Sequence, residues 1–173
     1  MVIWITGLSA SGKTTLSRAF EKKVKGSVPN MVLLDGDIVR QLYGDDLGYE
    51  ESDRYKQITR IQNLATFLEK QSIVVVVAAL YSHPDLLKQN RNNFKQYFEV
   101  YLHASIGVLQ KREFKGLYQK ALNKEILNVV GVDIPWNTPV EPDMVFELSD
   151  NLSPELMADK LIERLPDLKN SWE

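Results

Sequence analysis

Short apolar segments alternate along the chain with longer segments in which apolar residues recur every three or four positions. The run 73–79 is almost uniformly apolar, which is typical of a central strand covered on both faces. Strands are predicted over residues 2–6, 31–34, 73–79, 97–102 and 144–148. Helices are predicted over residues 14–24, 50–70, 84–96, 105–112 and 154–165. This alternation predicts an α/β fold with a doubly wound, five-stranded parallel sheet, whose ligand crevice lies at the carboxyl ends of the strands.

One segment, residues 113–142, interrupts the alternation. It is polar and contains glycines and prolines without a clear strand or long helix. A connection of this length inside a compact domain is usually a functional lid, and a disordered insertion is the alternative. The aromatic residues Phe114, Tyr118 and Trp136 favour a lid, because they suit a loop that packs.

Composition restricts the classes of partner. With 173 residues the chain is predicted to form one domain over residues 1–173. A formal net charge of -2 gives no overall field for a nucleic-acid polymer or an anionic membrane, so neither is an expected partner. The absence of cysteine excludes disulfides and thiolate chemistry, and it fits a reducing compartment. The N-terminal apolar run is too short for a signal peptide and the run 73–80 is too short to span a bilayer, so a cytoplasmic protein is predicted.

Residues 7–14 read Gly-Leu-Ser-Ala-Ser-Gly-Lys-Thr and match GxxxxGK[ST], the phosphate-binding loop (P-loop) of nucleoside triphosphatases. The motif lies between a predicted strand and a predicted helix, as it requires. Lys13 is expected to reach the β- and γ-phosphates of ATP, and the Thr14 hydroxyl is expected to bind Mg²⁺. The residues predicted to contact ATP here are Gly7, Ser9, Ala10, Ser11, Gly12, Lys13, Thr14 and Thr15.

GTPases, mechanical ATPases and small-molecule kinases all use such a loop. A GTPase needs an Asn-Lys-x-Asp motif, and the nearest match, at 123–126, lacks the final carboxylate. A mechanical ATPase normally belongs to a larger chain. A polar lid that closes over an acceptor and excludes water favours a small-molecule kinase.

An acidic pair follows the second predicted strand. Asp37 could accept the proton of an attacking hydroxyl, and Asp35 could hold Mg²⁺ through a water molecule. Alternatively, Asp37 is the N-cap of a helix. Arg40 and Arg54 could bind an anionic acceptor through paired hydrogen bonds, and solvated surface arginines are the alternative.

Several stretches resemble the adenylylsulfate (APS) kinase family. They are Gly-Leu-Ser-Ala-Ser-Gly-Lys-Thr-Thr at 7–15, Leu-Asp-Gly-Asp at 34–37, Asp-Leu-Gly-Tyr at 46–49 and Lys-Gly-Leu-Tyr at 115–118. The match runs in order over nearly the whole chain. That family transfers phosphate from MgATP to the ribose 3′-hydroxyl of adenosine 5′-phosphosulfate, usually as a homodimer. The resemblance therefore implies a P-loop NTPase fold, ATP and Mg²⁺ as cofactors, a small nucleotide acceptor and a homodimer.

The resemblance also implies roles for individual residues. Asp37 would be the base, acting with Lys13 and Asp35, and Arg112 would lie against the adenine of ATP. The expected acceptor-binding residues are Arg40, Tyr49, Arg54, Gln57, Tyr81, Ser82, Lys115, Leu117 and Val129.

Departures from the family pattern fall on the acceptor side. The family's Asp-Gly-Asp-Asn ends in Ile38 here, and its asparagine after the acceptor-binding arginine is Gln57. The family holds the acceptor's adenine between two aromatic rings; Tyr49 can supply one, but the lid carries Val129 where the second belongs. A stacked aromatic is worth about 1 to 3 kcal/mol per base, so losing one weakens adenine recognition by a factor of roughly 10 or more.

A second departure lies at residues 80–85. The family's Phe-Ile-Ser-Pro-Tyr-Arg reads Leu-Tyr-Ser-His-Pro-Asp here, so Tyr81 takes up space and Asp85 stands at an arginine position. A smaller base is therefore expected.

Two acceptors remain within one chemistry. Adenosine 5′-phosphosulfate, for sulfate assimilation, is the family's own substrate. The altered pocket favours a pyrimidine nucleotide, and related APS-kinase-like enzymes phosphorylate cytidine 5′-diphosphoramidate in capsule phosphoramidate synthesis. A catalytically silent nucleotide-binding regulator is a third possibility from another class. The intact set of Lys13, Thr14, Asp35 and Asp37 argues against it.

Overall fold

The computed structural model describes residues 1–113, 115–165 and 168. Its strands are β1 (Val2–Gly7), β2 (Met31–Asp35), β3 (Val74–Ala79), β4 (Tyr97–His103) and β5 (Met144–Glu147). They form one sheet in the order β2-β3-β1-β4-β5, and every neighbouring pair is parallel. The predicted doubly wound parallel sheet is confirmed.

The helices differ from the prediction in number and in some boundaries. They are α1 (Lys13–Val24), α2 (Gly36–Leu42), α3 (Glu51–Lys70), α4 (Pro84–Asn93), α5 (Ile106–Arg112), α6 (Leu117–Leu122) and α7 (Pro154–Glu163). The short helices α2 and α6 were not predicted. Helix α4 ends three residues before the predicted boundary at 96, and the backbone N–H groups of Lys95 and Gln96 donate to the Glu69 carboxylate instead.

The core lies on both faces of the sheet. All residues of β1 and β3 are buried, as expected for central strands covered on each side. Helix α1 packs against α7, and α3 packs against β3 and α4. In the ranges described, no helix is long and apolar enough to cross a bilayer.

The register of the sheet determines which residues meet at its carboxyl edge. Thr6 of β1 pairs with Ala79, and Asp35 of β2 pairs with Ala78, so the phosphate loop, the acidic pair and the segment after β3 leave the sheet side by side. This is the edge at which parallel α/β proteins bind ligands.

The segment 115–142 packs over the same edge. The Tyr118 hydroxyl is buried and donates to the Ser9 carbonyl of the phosphate loop at 3.0 Å. The Trp136 indole N–H donates to the Tyr101 hydroxyl at 3.2 Å. Phe114, which was expected to pack in the lid, lies outside the described residues.

Candidate active site

A cavity of about 700 Å³ opens at the carboxyl edge of the sheet, between the phosphate loop, α2, α3 and the lid. Fifteen of the predicted site residues line it, namely Ser9, Ala10, Gly12, Lys13, Thr14, Asp35, Asp37, Arg40, Tyr49, Arg54, Gln57, Tyr81, Lys115, Leu117 and Val129. The phosphate-binding and acceptor-binding predictions therefore meet in one space.

Two glycines shape the phosphate loop. Gly7 has φ 154°, and a Cβ added there would lie 2.7 Å from the Leu102 carbonyl oxygen. Gly12 precedes α1 in the left-handed conformation, with φ 89°. The first turn of α1 lines the cavity, and the N–H groups and dipole of a helix N-terminus favour a phosphate there.

Lys13 lies at the base of the loop. Its amine donates to the carbonyls of Gly7 and Leu8, each at 2.9 Å. Burial lowers the pKa of Lys13 to about 8, against the opposing charges of Asp37 and Asp35. An ammonium group has three donors, so Lys13 can also donate to a phosphate oxygen.

Thr14 and Asp35 form the group that fits a magnesium ion. The Thr14 hydroxyl donates to the Asp35 carboxylate at 2.6 Å, and the other oxygen of Asp35 accepts the backbone N–H of Asp37 at 2.9 Å. Oxygen ligands of this kind suit Mg²⁺. No cluster of three metal-ligating His, Cys, Asp or Glu side chains occurs in 1–113, 115–165 and 168. Magnesium would therefore take its remaining ligands from phosphates and water.

Asp35, not Asp37, is the N-cap of α2, so the alternative of a capping role for Asp37 is wrong. Asp37 is exposed and lines the cavity. Its charge is the largest electrostatic influence opposing the lowered pKa of Lys13. The carboxylate and the amine therefore face one shared space, as their predicted roles of base and phosphate-binding cation require.

Arg40 and Arg54 are buried, with 7% and 8% of their surface exposed, so the alternative of solvated surface arginines is wrong. Arg40 donates to the carbonyls of Leu47 and Gly48 at 2.7 and 2.9 Å. Both guanidinium groups lie against the Tyr49 ring, at 4.7 Å for Arg40 and 5.6 Å for Arg54. Each has five donors, so donors remain for an anionic ligand.

Arg54 also connects helix α3 to the lid. Its Nε donates to the Tyr49 carbonyl at 2.9 Å, and its Nη2 donates to the Asn128 carbonyl at 2.6 Å. Burial lowers the pKa of Arg54, and the positive charge of Arg40 adds to this effect. Next to Asn128, the backbone N–H of Val129 donates to the Asp133 carboxylate at 2.6 Å.

Gln57 and Tyr81 have defined partners in the cavity wall. The Gln57 amide donates to the Gly36 carbonyl at 3.1 Å and so joins α3 to the start of α2. Tyr81 follows β3, and its hydroxyl donates to the Glu51 carboxylate at 2.9 Å.

Five predicted site residues do not line the cavity: Gly7, Ser11, Thr15, Ser82 and Arg112. The hydroxyls of Ser11 and Ser82 are buried, and neither has a hydrogen-bond partner in the part of the chain that is described. Thr15 is exposed. Arg112 donates to the Leu148 carbonyl at 3.0 Å. A contact of Arg112 with adenine and of Ser82 with the acceptor stay predictions.

Sequence reasoning missed Asn128, Glu51 and the hydroxyl contact of Tyr118 with the loop. Asn128 has φ 66°, a conformation in which asparagine is enriched, so its residue type carried a weak signal. The bonds of Tyr118 and Glu51 join distant parts of the chain and left no local pattern.

The parallel sheet, the phosphate loop and an acidic pair facing one cavity define a P-loop phosphotransferase. The family model described as Adenylylsulphate kinase matches residues 1–147, and the chain belongs to that family. The predicted resemblance and the predicted class of enzyme, a kinase with a hydroxyl acceptor, are confirmed.

Named relatives cover almost the whole chain. A cytidine diphosphoramidate kinase of Campylobacter jejuni is 38% identical over 164 residues, which cover 95% of this chain and 95% of that protein. A probable adenylyl-sulfate kinase of Synechocystis is 34% identical over 98% of this chain and 95% of that protein. The structure of the Mycobacterium tuberculosis APS kinase CysC, in complex with AMPPNP and APS, superposes with a TM-score of 0.85 at 29% identity, covering 95% of this chain and 96% of that one.

Proposed function

We propose that this kinase transfers the γ-phosphoryl group of MgATP to the ribose 3′-hydroxyl of a pyrimidine nucleotide, with cytidine 5′-diphosphoramidate as the favoured acceptor. The observation that supports the transfer is the convergence of Lys13, Asp37 and Arg54 on one cavity of about 700 Å³. This volume is within the usual range for small-molecule sites.

Each residue has a defined part in the proposed reaction. Lys13 donates to the phosphate oxygens, while Thr14 and, through water, Asp35 would hold Mg²⁺, which supplies charge neutralisation at the β- and γ-phosphates. Asp37 accepts the proton of the 3′-hydroxyl as its oxygen bonds to the γ-phosphorus and ADP leaves. Arg40 and Arg54 bind the 5′ phosphates of the acceptor through charge-assisted hydrogen bonds.

The wall of the cavity supports a pyrimidine base. Tyr49 offers one aromatic face beside the two arginines, whereas the lid contributes the aliphatic residues Leu127 and Val129. Stacking on a second aromatic ring is worth about 1 to 3 kcal/mol per base. A purine would lose more of this energy than a pyrimidine, because a smaller base depends less on stacking. Relatives named for either acceptor are similarly close to the chain, so the choice rests on the cavity.

The test measures ADP release by the purified protein with MgATP and each acceptor in turn. We expect a higher kcat/KM for cytidine 5′-diphosphoramidate than for adenosine 5′-phosphosulfate, and phosphorus NMR of the product checks that the 3′ position is phosphorylated. Rapid ADP release with adenosine 5′-phosphosulfate and none with the cytidine compound would reject the proposed acceptor and make the protein an adenylylsulfate kinase. Light scattering on the same preparation measures the homodimer that the family resemblance implies.

A further inference from the structure

Tyr81 lines the cavity and is hydrogen-bonded to Glu51, and the proposed reaction gives this pair no role. We propose that this pair selects the 5′ tail of the acceptor, favouring a tail that carries an N–H donor, such as a phosphoramidate, over a tail with oxygen atoms only. The inference rests on the proposed function and names a specificity-determining residue for it.

The hydrogen bond between the two residues sets the polarity of the phenol. Tyr81 is 3% exposed, lines the cavity and donates its hydroxyl proton to the Glu51 carboxylate at 2.9 Å. A hydroxyl has one proton and two lone pairs, so the Tyr81 oxygen can only accept a further hydrogen bond. Burial, together with the hydrogen bond to Glu51, raises the pKa of the Tyr81 hydroxyl, so it remains protonated at neutral pH. Tyr81 therefore presents an acceptor atom to the cavity, and the negatively charged Glu51 carboxylate lies 2.9 Å from that atom.

The position of Arg54 places the Tyr81 oxygen near the end of the 5′ tail of the acceptor nucleotide. The 3′-hydroxyl of the acceptor must lie beside Asp37, so its 5′ phosphates extend away from the phosphate loop towards Arg40 and Arg54. Arg54 and Tyr81 line the same cavity, and the positive charge of Arg54 acts on the Tyr81 hydroxyl. Arg54 and Glu51 are both in the first turn of α3, where a carboxylate is favoured by the helix dipole. We therefore expect a group beyond the phosphates bound by Arg54 to reach the Tyr81 oxygen.

The chemical groups at the end of the 5′ tail then decide which acceptor binds more tightly. A sulfate or phosphate end has only oxygen acceptors, which oppose the lone pairs of Tyr81 and the charge of Glu51. An amide nitrogen on phosphorus carries N–H groups that can donate to the phenolic oxygen. One neutral hydrogen bond corresponds to about a 3- to 10-fold difference in affinity.

The test compares two acceptors that differ only at this atom, cytidine 5′-diphosphoramidate and cytidine 5′-diphosphate. The readout is the ratio of their kcat/KM values, which a merely structural role would leave unchanged. We expect Tyr81→Phe to lower this ratio about 3- to 10-fold, through KM more than through kcat. Tyr55→Phe is the matched control, because the Tyr55 ring packs against His83 and does not line the cavity.

A second variant is expected to change kcat/KM in opposite directions for the two acceptors. Glu51→Ala frees the Tyr81 proton to donate into the cavity, so kcat/KM for cytidine 5′-diphosphate should rise while that for the amide falls. Thermal unfolding of each variant checks that it is folded. If the wild type prefers the amide but both variants keep the wild-type ratio, the inference is wrong and the proposed function stands. If the wild type uses only adenosine 5′-phosphosulfate, both are wrong.

Discussion

Asp37 is the residue whose replacement tests the chemistry most directly, since it shares the cavity with Lys13 and has no capping role. We expect Asp37→Asn to lower kcat by roughly 10²- to 10⁴-fold, because the 3′-hydroxyl loses its proton acceptor. The affinity for MgATP should change little, since the loop and Lys13 remain. Steady-state kinetics and titration calorimetry measure the two quantities.

Asp45→Asn is the control for this substitution, because Asp45 is exposed in the loop after α2 and does not line the cavity. It should leave kcat unchanged. If Asp37→Asn has no effect on acceptor-dependent ADP production, the protein is not a kinase of this type, and a silent nucleotide-binding regulator becomes the better explanation.

Val129 is the residue at which base preference can be altered. Val129→Phe places a second ring in the lid wall of the cavity, so kcat/KM for adenosine 5′-phosphosulfate should rise relative to the cytidine acceptor by a factor of about 10. Val140→Phe makes the same change at a lid residue that is 87% exposed and outside the cavity, and it should have no effect. An unchanged preference in a folded Val129→Phe protein would contradict the stacking argument.

At the residue scale, the part of the site that could be predicted consists of local motifs. The loop residues follow β1, whereas Asp35 ends β2 and Asp37 comes just after it; parallel strands bring their carboxyl ends to one edge. The partners of Arg54 could not be predicted in the same way. Its bond to Asn128 joins residues 74 positions apart and depends on how the lid packs.

At the level of elements, the strands were predictable because burial on both faces makes them nearly continuous apolar runs. Helices α2 and α6 have only seven and six residues, too few to show a helical period. At the start of each of these two helices, a carboxylate side chain accepts backbone N–H groups. Asp35 caps α2, and the Glu113 carboxylate accepts the backbone N–H groups of Lys115 and Leu117 at the start of α6.

The connection between α3 and the lid predicts how the two elements cooperate. Arg54→Lys removes the planar group that bonds to both Tyr49 and Asn128, because the donors of an ammonium all lie on one nitrogen and cannot reach two separated carbonyls as the guanidinium fork does. Loss of one charge-assisted hydrogen bond, about 1.5 to 3 kcal/mol, should raise the KM for the acceptor by roughly 10-fold or more. The KM for ATP should change less, and initial-rate kinetics separates the two.

Arg18→Lys is the control. Arg18 is exposed on α1 and does not line the cavity, so its replacement should cost little. Equal effects of the two substitutions on the acceptor KM would show that Arg54 does not hold the lid.

At the scale of the whole molecule, a buried polar network lies away from the cavity and joins α4, β4 and the segment before β5. Glu99 on β4 is 2% exposed and accepts the Tyr97 hydroxyl at 2.8 Å. Arg91 lies 3.8 Å from its carboxylate, and Asp143 accepts the Glu99 backbone N–H at 2.7 Å. Burial raises the pKa of Glu99 above its ordinary value of 4.5, while Tyr97 and Arg91 oppose the rise and Asp143 adds to it.

This raised pKa predicts a specific dependence of stability on pH. Between pH 4.5 and the raised pKa, the folded protein binds more protons at Glu99 than the unfolded chain, so the free energy of unfolding falls as pH rises. Glu99→Gln keeps an acceptor for Tyr97 but cannot ionise. We expect urea unfolding to give nearly equal stabilities for E99Q and the wild type below pH 4.5, and a more stable E99Q at neutral pH.

The other carboxylates titrate in both proteins and cancel in the difference, so the difference curve isolates Glu99. Glu163→Gln, at an exposed position of α7, is the control and should follow the wild type at every pH. Parallel curves for E99Q and the wild type would mean that Glu99 ionises as easily in the folded protein as in the unfolded chain. In that case Arg91 and Tyr97 would fully offset the burial of its charge. A less stable E99Q at neutral pH would mean that the charged network stabilises the fold.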